Sequence, residues 1–245
     1  MVGTAGDPPP AGAPTRPLDG AVRTPPADDA VPSPVLIAAE QSAANGQALR
    51  VMGALAVRGR APRAGYDRTL FGQRWADTDR NGCDTRNDVL RRDLTQVVLD
   101  PGTRGCAVAS GSLHDPYLGE TVPYRRRADS DVNVDHVVAL ADAWQKGAAT
   151  WSAERRERFA NDPGNLLAVS GRANLQKRDS DAASWLPPHK SSRCGYVSLQ
   201  VQVKARYGLW VTAAERAAVA RVLTSCAQAS GTDAPQPQPR PDQGS

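Results

Sequence analysis

The fold is decided by VNVDHVVAL at residues 132–140, read together with GNLLAVSGRANLQK at residues 164–177. In the first stretch Val132 and Val134 alternate with Asn133 and Asp135, the pattern of a strand with one buried face. ALADAWQKGA then continues as a helix. The second stretch enters through a Gly-Asn turn, runs through the short strand NLLAVS and passes into the helix RANLQKRDSDAASW. The order is therefore strand, strand, helix. Asp135 and His136 are neighbours on the first strand, so their side chains point to opposite faces unless the strand is ending there. Asn174 and Lys177 stand three residues apart and share a helix face.

These residue types suit one kind of chemistry. Hydrolysis of a phosphodiester needs a base for the attacking water, and a neutral imidazole titrating near neutrality is suited to take that proton. It also needs positive charge near the phosphate and the leaving oxygen, which a divalent cation supplies. Asp135 and Asn174 can provide a carboxylate and an amide oxygen, a hard donor pair suited to Mg²⁺, with Mn²⁺ as the second choice. His136 can be the base. Lys177 or Arg178 can hold a phosphate, and the triple arginine Arg125-Arg126-Arg127 reads as a second phosphate-facing patch, giving Arg126 and Arg127 as further substrate contacts.

Outward from this core, the class is α+β. Residues 35–57 read as one or two helices, and DTDRNGCDTRNDVLRRDL as a loop followed by a short helix. DTDRNG invites comparison with a calcium loop, but it lacks the full run of oxygen ligands and the closing Glu, so it reads as a solvated turn. TQVVLD, CAVASGSL and TVPYRR, separated by turn residues, form a meander. Ser152 caps AERRERFAND; VSLQVQVKARYGL reads as a strand before a last helix opened by the capping box Thr212-x-x-Glu215. The Pro/Ala-rich residues 1–33 and the Pro/Gln-rich residues 231–245 cannot bury enough apolar surface to offset their ordering entropy, and read as disordered tails around one domain at 34–230. Its strand–strand–helix core spans about 130–182.

The net charge of +4 permits a nucleic-acid partner without requiring one. No segment is apolar enough to span a membrane. The four cysteines include no CxxC pair, against a structural zinc site. Two disulfides fit an exported protein, although MVGTAGDPPP has neither the basic start nor the apolar run of a signal peptide. Of the three possible connectivities, Cys83–Cys106 with Cys194–Cys226 is favoured because both links are local. The remaining histidines, His114 and His189, sit beside turn residues and read as surface positions; Trp144, Trp151 and Trp185 read as core.

VNVDHVVAL with GNLLAVSGRANLQK resembles the HNH, or ββα-metal, endonucleases, in a variant with Asp-His, Asn and Asn, and is similar to the HNH domain of the CRISPR effector nucleases. A wider resemblance, carried by GRAPRAGYDRTLFGQRW, NGCDTRNDVLRRDL, DHVVALADAW, FANDPGNLLAV and DAASWLPP, covers about residues 50–228. It points to the actinobacterial HNH endonuclease family proteins, related to the C-terminal domain of the GmrSD restriction enzymes and often exported. The resemblance implies a secreted endonuclease acting on DNA ahead of RNA. In it Asp135 is a metal ligand, His136 the general base, Asn165 a brace for the loop that orients the histidine, and Asn174 the second ligand. Many HNH nucleases have histidine where Asn174 stands, which favours magnesium over zinc or nickel. Asp179 and Asp181 follow the helix without an assigned role. Two other readings compete: a non-catalytic exported module that keeps the fold and grips nucleic acid or cell-wall polymer, and a zinc hydrolase, which the three scattered histidines disfavour. Oligomeric state is left open.

Overall fold

The computed structural model describes residues 34–126 and 130–231; Arg127 and the tail expected at 1–33 lie outside the described residues. Helix α1 (Pro34–Ala54) is followed by an extended segment with a 3-10 turn at Arg68–Phe71, then α2 (Thr85–Asp93). Strands β1 (Leu94–Leu99), β2 (Val108–His114) and β3 (Thr121–Arg125) form an antiparallel meander, as their turn chemistry predicts. Next come β4 (Val132–His136), α3 (Leu140–Gln145), α4 (Ala153–Ala160), β5 (Leu166–Ser170), α5 (Gly171–Lys177), α6 (Arg193–Tyr207) and α7 (Ala213–Gly231). The class is α+β. The last helix includes Gly231, the first residue assigned to the C-terminal tail; the rest of that tail lies outside the described residues.

Local chemistry sets the ends of these elements. Asp84 opens α2 by accepting from the Asn87 amide, Ser152 opens α4 by accepting from Arg155, and Ser170 opens α5 by accepting from Ala173. Thr212 caps the final helix through the Glu215 amide. The Glu215 carboxylate does not complete the reciprocal box; it turns inward to Lys146 and Lys204.

Two elements differ from the sequence reading. The helix after β5 stops at Lys177, because Arg178 adopts a positive φ of 51°, and residues 179–185 proceed as turns. VSLQVQVKARYGL is helix α6, not a strand. Tyr196, Val197, Ser198, Gln200, Val201, Val203 and Lys204 are its buried side, a helical stripe that includes the polar Ser198, Gln200 and Lys204.

The pair β4–β5 is antiparallel, with Asp135 opposite Leu167 and His136 opposite Leu166. Continuing that register sets Asn165 opposite Val137, and the Val137 amide donates to the Asn165 carbonyl at 2.8 Å. Helix α5 leaves β5 with no intervening loop, so strand, strand and helix form the expected ββα unit. Three apolar clusters surround it: α1, α6 and α7 on one side, α3 and α4 with Phe71 on another, and the meander with α2 on the third. Disulfides join Cys83 to Cys106 and Cys194 to Cys226, the local pairing. Trp144 is buried in the core, while Trp151 and Trp185 pack against it partly buried.

Candidate active site

Asp135 and His136 close β4, and the strand's pleat sends them different ways. Asp135 is buried and accepts from Tyr117 Oη at 2.8 Å and from Lys177 Nζ at 2.9 Å on Oδ2. The Lys177 ammonium also donates to the His136 carbonyl at 2.8 Å. Lys177 is fully buried. Its expected role as a phosphate contact is therefore corrected: the ammonium neutralises Asp135 and ties α5 to the end of β4, where a substrate phosphate cannot reach it.

His136 Nε2 lies 2.8 Å from the Ala160 carbonyl at the end of α4. A carbonyl has no proton to give, so Nε2 must carry one and donate it. Burial pushes the imidazole down from its ordinary value to about 3; the Ala160 bond opposes this, while the charges of Arg68, Lys177 and Arg74 reinforce it. The ring is therefore neutral at pH 7, with Nε2 protonated and the lone pair on Nδ1, which makes no hydrogen bond among the described residues. The Trp75 ring lies nearly parallel to the imidazole, 12° between planes and 6.2 Å between centroids.

Asn165 is fully buried, and its amide clamps one residue twice: the Val138 amide donates to Oδ1 at 2.8 Å, and Nδ2 donates to the Val138 carbonyl at 3.2 Å. Val138 lies two residues past His136, so this clamp fixes the backbone that carries the imidazole.

Asn174 stands on α5, half-buried, with no side-chain hydrogen bond among the described residues. It borders a cleft of about 180 Å³ with Tyr66, Arg68, Asp135, His136, Arg178 and Asp179. The structure thus brings Asp135, His136, Asn174 and Arg178 together around one opening. Arg126 is not there: it lies beyond β3 and pairs with Asp100 at 3.3 Å, on the outer side of the meander. Asp179 on the cleft rim pairs with Arg63 at 3.0 Å. Asp181 belongs instead to a buried cluster with Lys146 and Arg60.

The donors present fit a hard cation. The Asp135 carboxylate keeps a lone-pair direction beyond its bonds to Tyr117 and Lys177, and the Asn174 amide oxygen is uncommitted. Two protein oxygens, with water and phosphate completing the shell, suit Mg²⁺. Among the described residues no group of three or more His, Cys, Asp or Glu is placed to hold a metal. In DTDRNG the carboxylates accept from their own loop, Asp77 from the Asn81 and Gly82 amides and Asp79 from Asn81, as a turn does.

Tyr117, Trp75, Arg68, Arg74 and the Ala160 carbonyl escaped the sequence reading. Only the arginines carried a signal, lying close together in a stretch that contains a single acid, Asp67.

Residues 84–222 match the family described as GmrSD restriction endonucleases, C-terminal domain. An uncharacterized secreted protein from Arthroderma benhamiae is 42% identical over 198 residues, covering 80% of this chain and 90% of that protein. No solved structure matches the chain.

Proposed function

The chain belongs to the family of GmrSD restriction endonuclease C-terminal domains, and from that premise we propose that it is a secreted, metal-dependent endonuclease that hydrolyses phosphodiester bonds, DNA ahead of RNA. The observation that carries the reading is the geometry at His136: its Nε2 proton is committed to the Ala160 carbonyl, and Nδ1 is left without a hydrogen-bond partner among the described residues on a ring that borders the cleft.

In this reading a water beside the scissile phosphate gives its proton to Nδ1 as its oxygen bonds to phosphorus, and the bond to the leaving sugar oxygen breaks. The donation to Ala160 and the Asn165 clamp hold the ring so that this lone pair points at the water. Asp135 and Asn174 would hold the cation, and the bonds from Lys177 and Tyr117 hold the Asp135 carboxylate in place. When bound, Mg²⁺ or Mn²⁺ would offset the negative charge that grows on the phosphate and the leaving oxygen. Arg178 stands at the rim, ready for a substrate phosphate. Export is supported by the two disulfides and the secreted relative; among the described residues no helix is long and apolar enough to cross a membrane.

Purified full chain should nick supercoiled plasmid in Mg²⁺ or Mn²⁺ and stop when EDTA is added. Asn174→Ala should raise the Mg²⁺ concentration needed for half-maximal cutting about tenfold or more, since a lost ligand weakens the ion more than the chemistry. Cutting that is indifferent to EDTA, or an unchanged metal requirement in Asn174→Ala, would contradict the ligand assignment. DNA binding without cleavage in any metal would favour a non-catalytic module.

A further inference from the structure

The segment at 58–75 precedes the family-matched residues 84–222, yet it forms a wall of the His136 cleft. It carries five arginines (58, 60, 63, 68 and 74) and one acid, Asp67. Four of the arginines have a partner, and for Arg74 it is the Trp75 ring, 5.9 Å from the guanidinium. Arg58 lies over the Trp210 ring at 5.4 Å, Arg60 bridges Asp142 and Asp181, and Arg63 pairs with Asp179. Arg68 and Arg74 are exposed and have no carboxylate partner among the described residues. Arg68 borders both the cleft of Asp135 and Asn174 and a second, smaller cavity that His136 also lines; Arg74 borders the second. With Asp135 neutralised by Lys177 and Asp179 by Arg63, Arg68, Arg74 and Arg178 remain as uncompensated positive charge around the histidine.

The segment is also held rigidly. Asp67 caps its 3-10 turn through Thr69, and Phe71 is buried. Gly72 has φ 76° and lies so close to Glu157 that a Cβ would stand 2.7 Å from it. The Gln73 amide donates to Glu157 at 3.1 Å, and Asn161 both accepts from the Ala76 amide and donates to the Gln73 carbonyl. Two guanidiniums with no carboxylate partner among the described residues are thus presented from a backbone fixed to α4, the same helix whose Ala160 carbonyl orients His136. A guanidinium meets phosphate oxygens in a two-pronged geometry, and a fixed backbone lowers the entropic cost of that contact.

We propose that Arg68 and Arg74, on a segment that precedes the family-matched residues 84–222, form a phosphate-binding wall that seats the substrate's sugar-phosphate backbone next to His136. The wall rests on the nuclease reading for its purpose, but its binding can be measured without cleavage.

The test uses the full chain in EDTA and a short fluorescein-labelled DNA duplex, with anisotropy titrations at several salt concentrations. Arg68→Ala and Arg74→Ala should each weaken binding and reduce the slope of log affinity against log salt by about one. Arg68→Lys and Arg74→Lys should keep most of the slope, and Arg221→Ala, an exposed arginine on α7, should leave it unchanged. An unaltered slope in the Arg68→Ala, Arg74→Ala double variant, with wild-type cleavage intact, would overturn the wall and leave the nuclease reading standing. Absence of DNA binding by the unaltered chain would overturn both.

Discussion

A buried, neutral histidine, the proposed base, has a cost in stability at low pH. His136 in the fold gains its second proton only near pH 3, whereas in the unfolded chain it does so near 6.5. The unfolded state therefore binds more protons between those values, and stability is fully present above about pH 6.5 and declines as pH falls toward 3. The decline has a limiting slope of about 1.4 kcal/mol per pH unit for one such group. Urea unfolding from pH 7 to pH 4.5 should show this fall in the wild-type chain, and a His136→Asn variant should show a flatter profile over the same window. Parallel profiles would contradict a neutral, buried His136. Asp142 and Asp181 act lower: burial alone would raise both, but Lys204 and Lys146 for the first, and Lys146 and Arg60 for the second, hold them below their ordinary value. Their contribution is present above about pH 4 and lost as pH falls further, below the window used for His136. At this scale Asp135, His136, Asn165 and Asn174 were legible, because each is polar in an otherwise apolar or helical setting. Lys177 was visible but misassigned, since spacing shows which face a side chain shares and not whether that face is wet.

Between elements, the strongest ties are ionic. Lys146 at the C-cap of α3, Lys204 on α6 and Arg60 meet Asp142, Asp181 and Glu215, with both lysines and all three carboxylates buried. Three cations face three anions, so the cluster is neutral, and removing one member leaves a buried charge without compensation. Lys146→Met should destabilise the fold by about 3–5 kcal/mol in urea unfolding, while a loss under about 1 kcal/mol would show that water reaches the cluster. In the sequence this cluster was invisible. Asp142 and Lys146 have the i,i+4 spacing of an ordinary solvated pair, and their partners lie on distant segments. The same burial of polar groups hid α6. Its valines alternate as in a strand, and the helical stripe becomes visible only once Gln200 and Lys204 are counted as interior. They belong there because each has a partner: Gln200 donates to the Val137 carbonyl at 3.0 Å, and Lys204 donates to Asp142. The meander, α2 and α4 were legible from turn and capping residues, whose signals are local.

Over the whole molecule, a small ββα unit is enclosed by parts that contribute to its site. The segment at 58–75 supplies arginines, α4 supplies the carbonyl that sets the histidine tautomer, and the turn after β2 supplies Tyr117. The disulfides tie the loop before α2 to the meander and α6 to α7, each contributing about 3 kcal/mol by restricting the unfolded chain. The central claim, that His136 is the base of a phosphodiester hydrolase, is tested most directly by initial rates of supercoiled-plasmid cleavage at pH 7 and saturating Mg²⁺, wild type against His136→Ala. The account predicts a fall of about a hundredfold or more, with DNA affinity in EDTA unchanged; equal rates from the two proteins would contradict it.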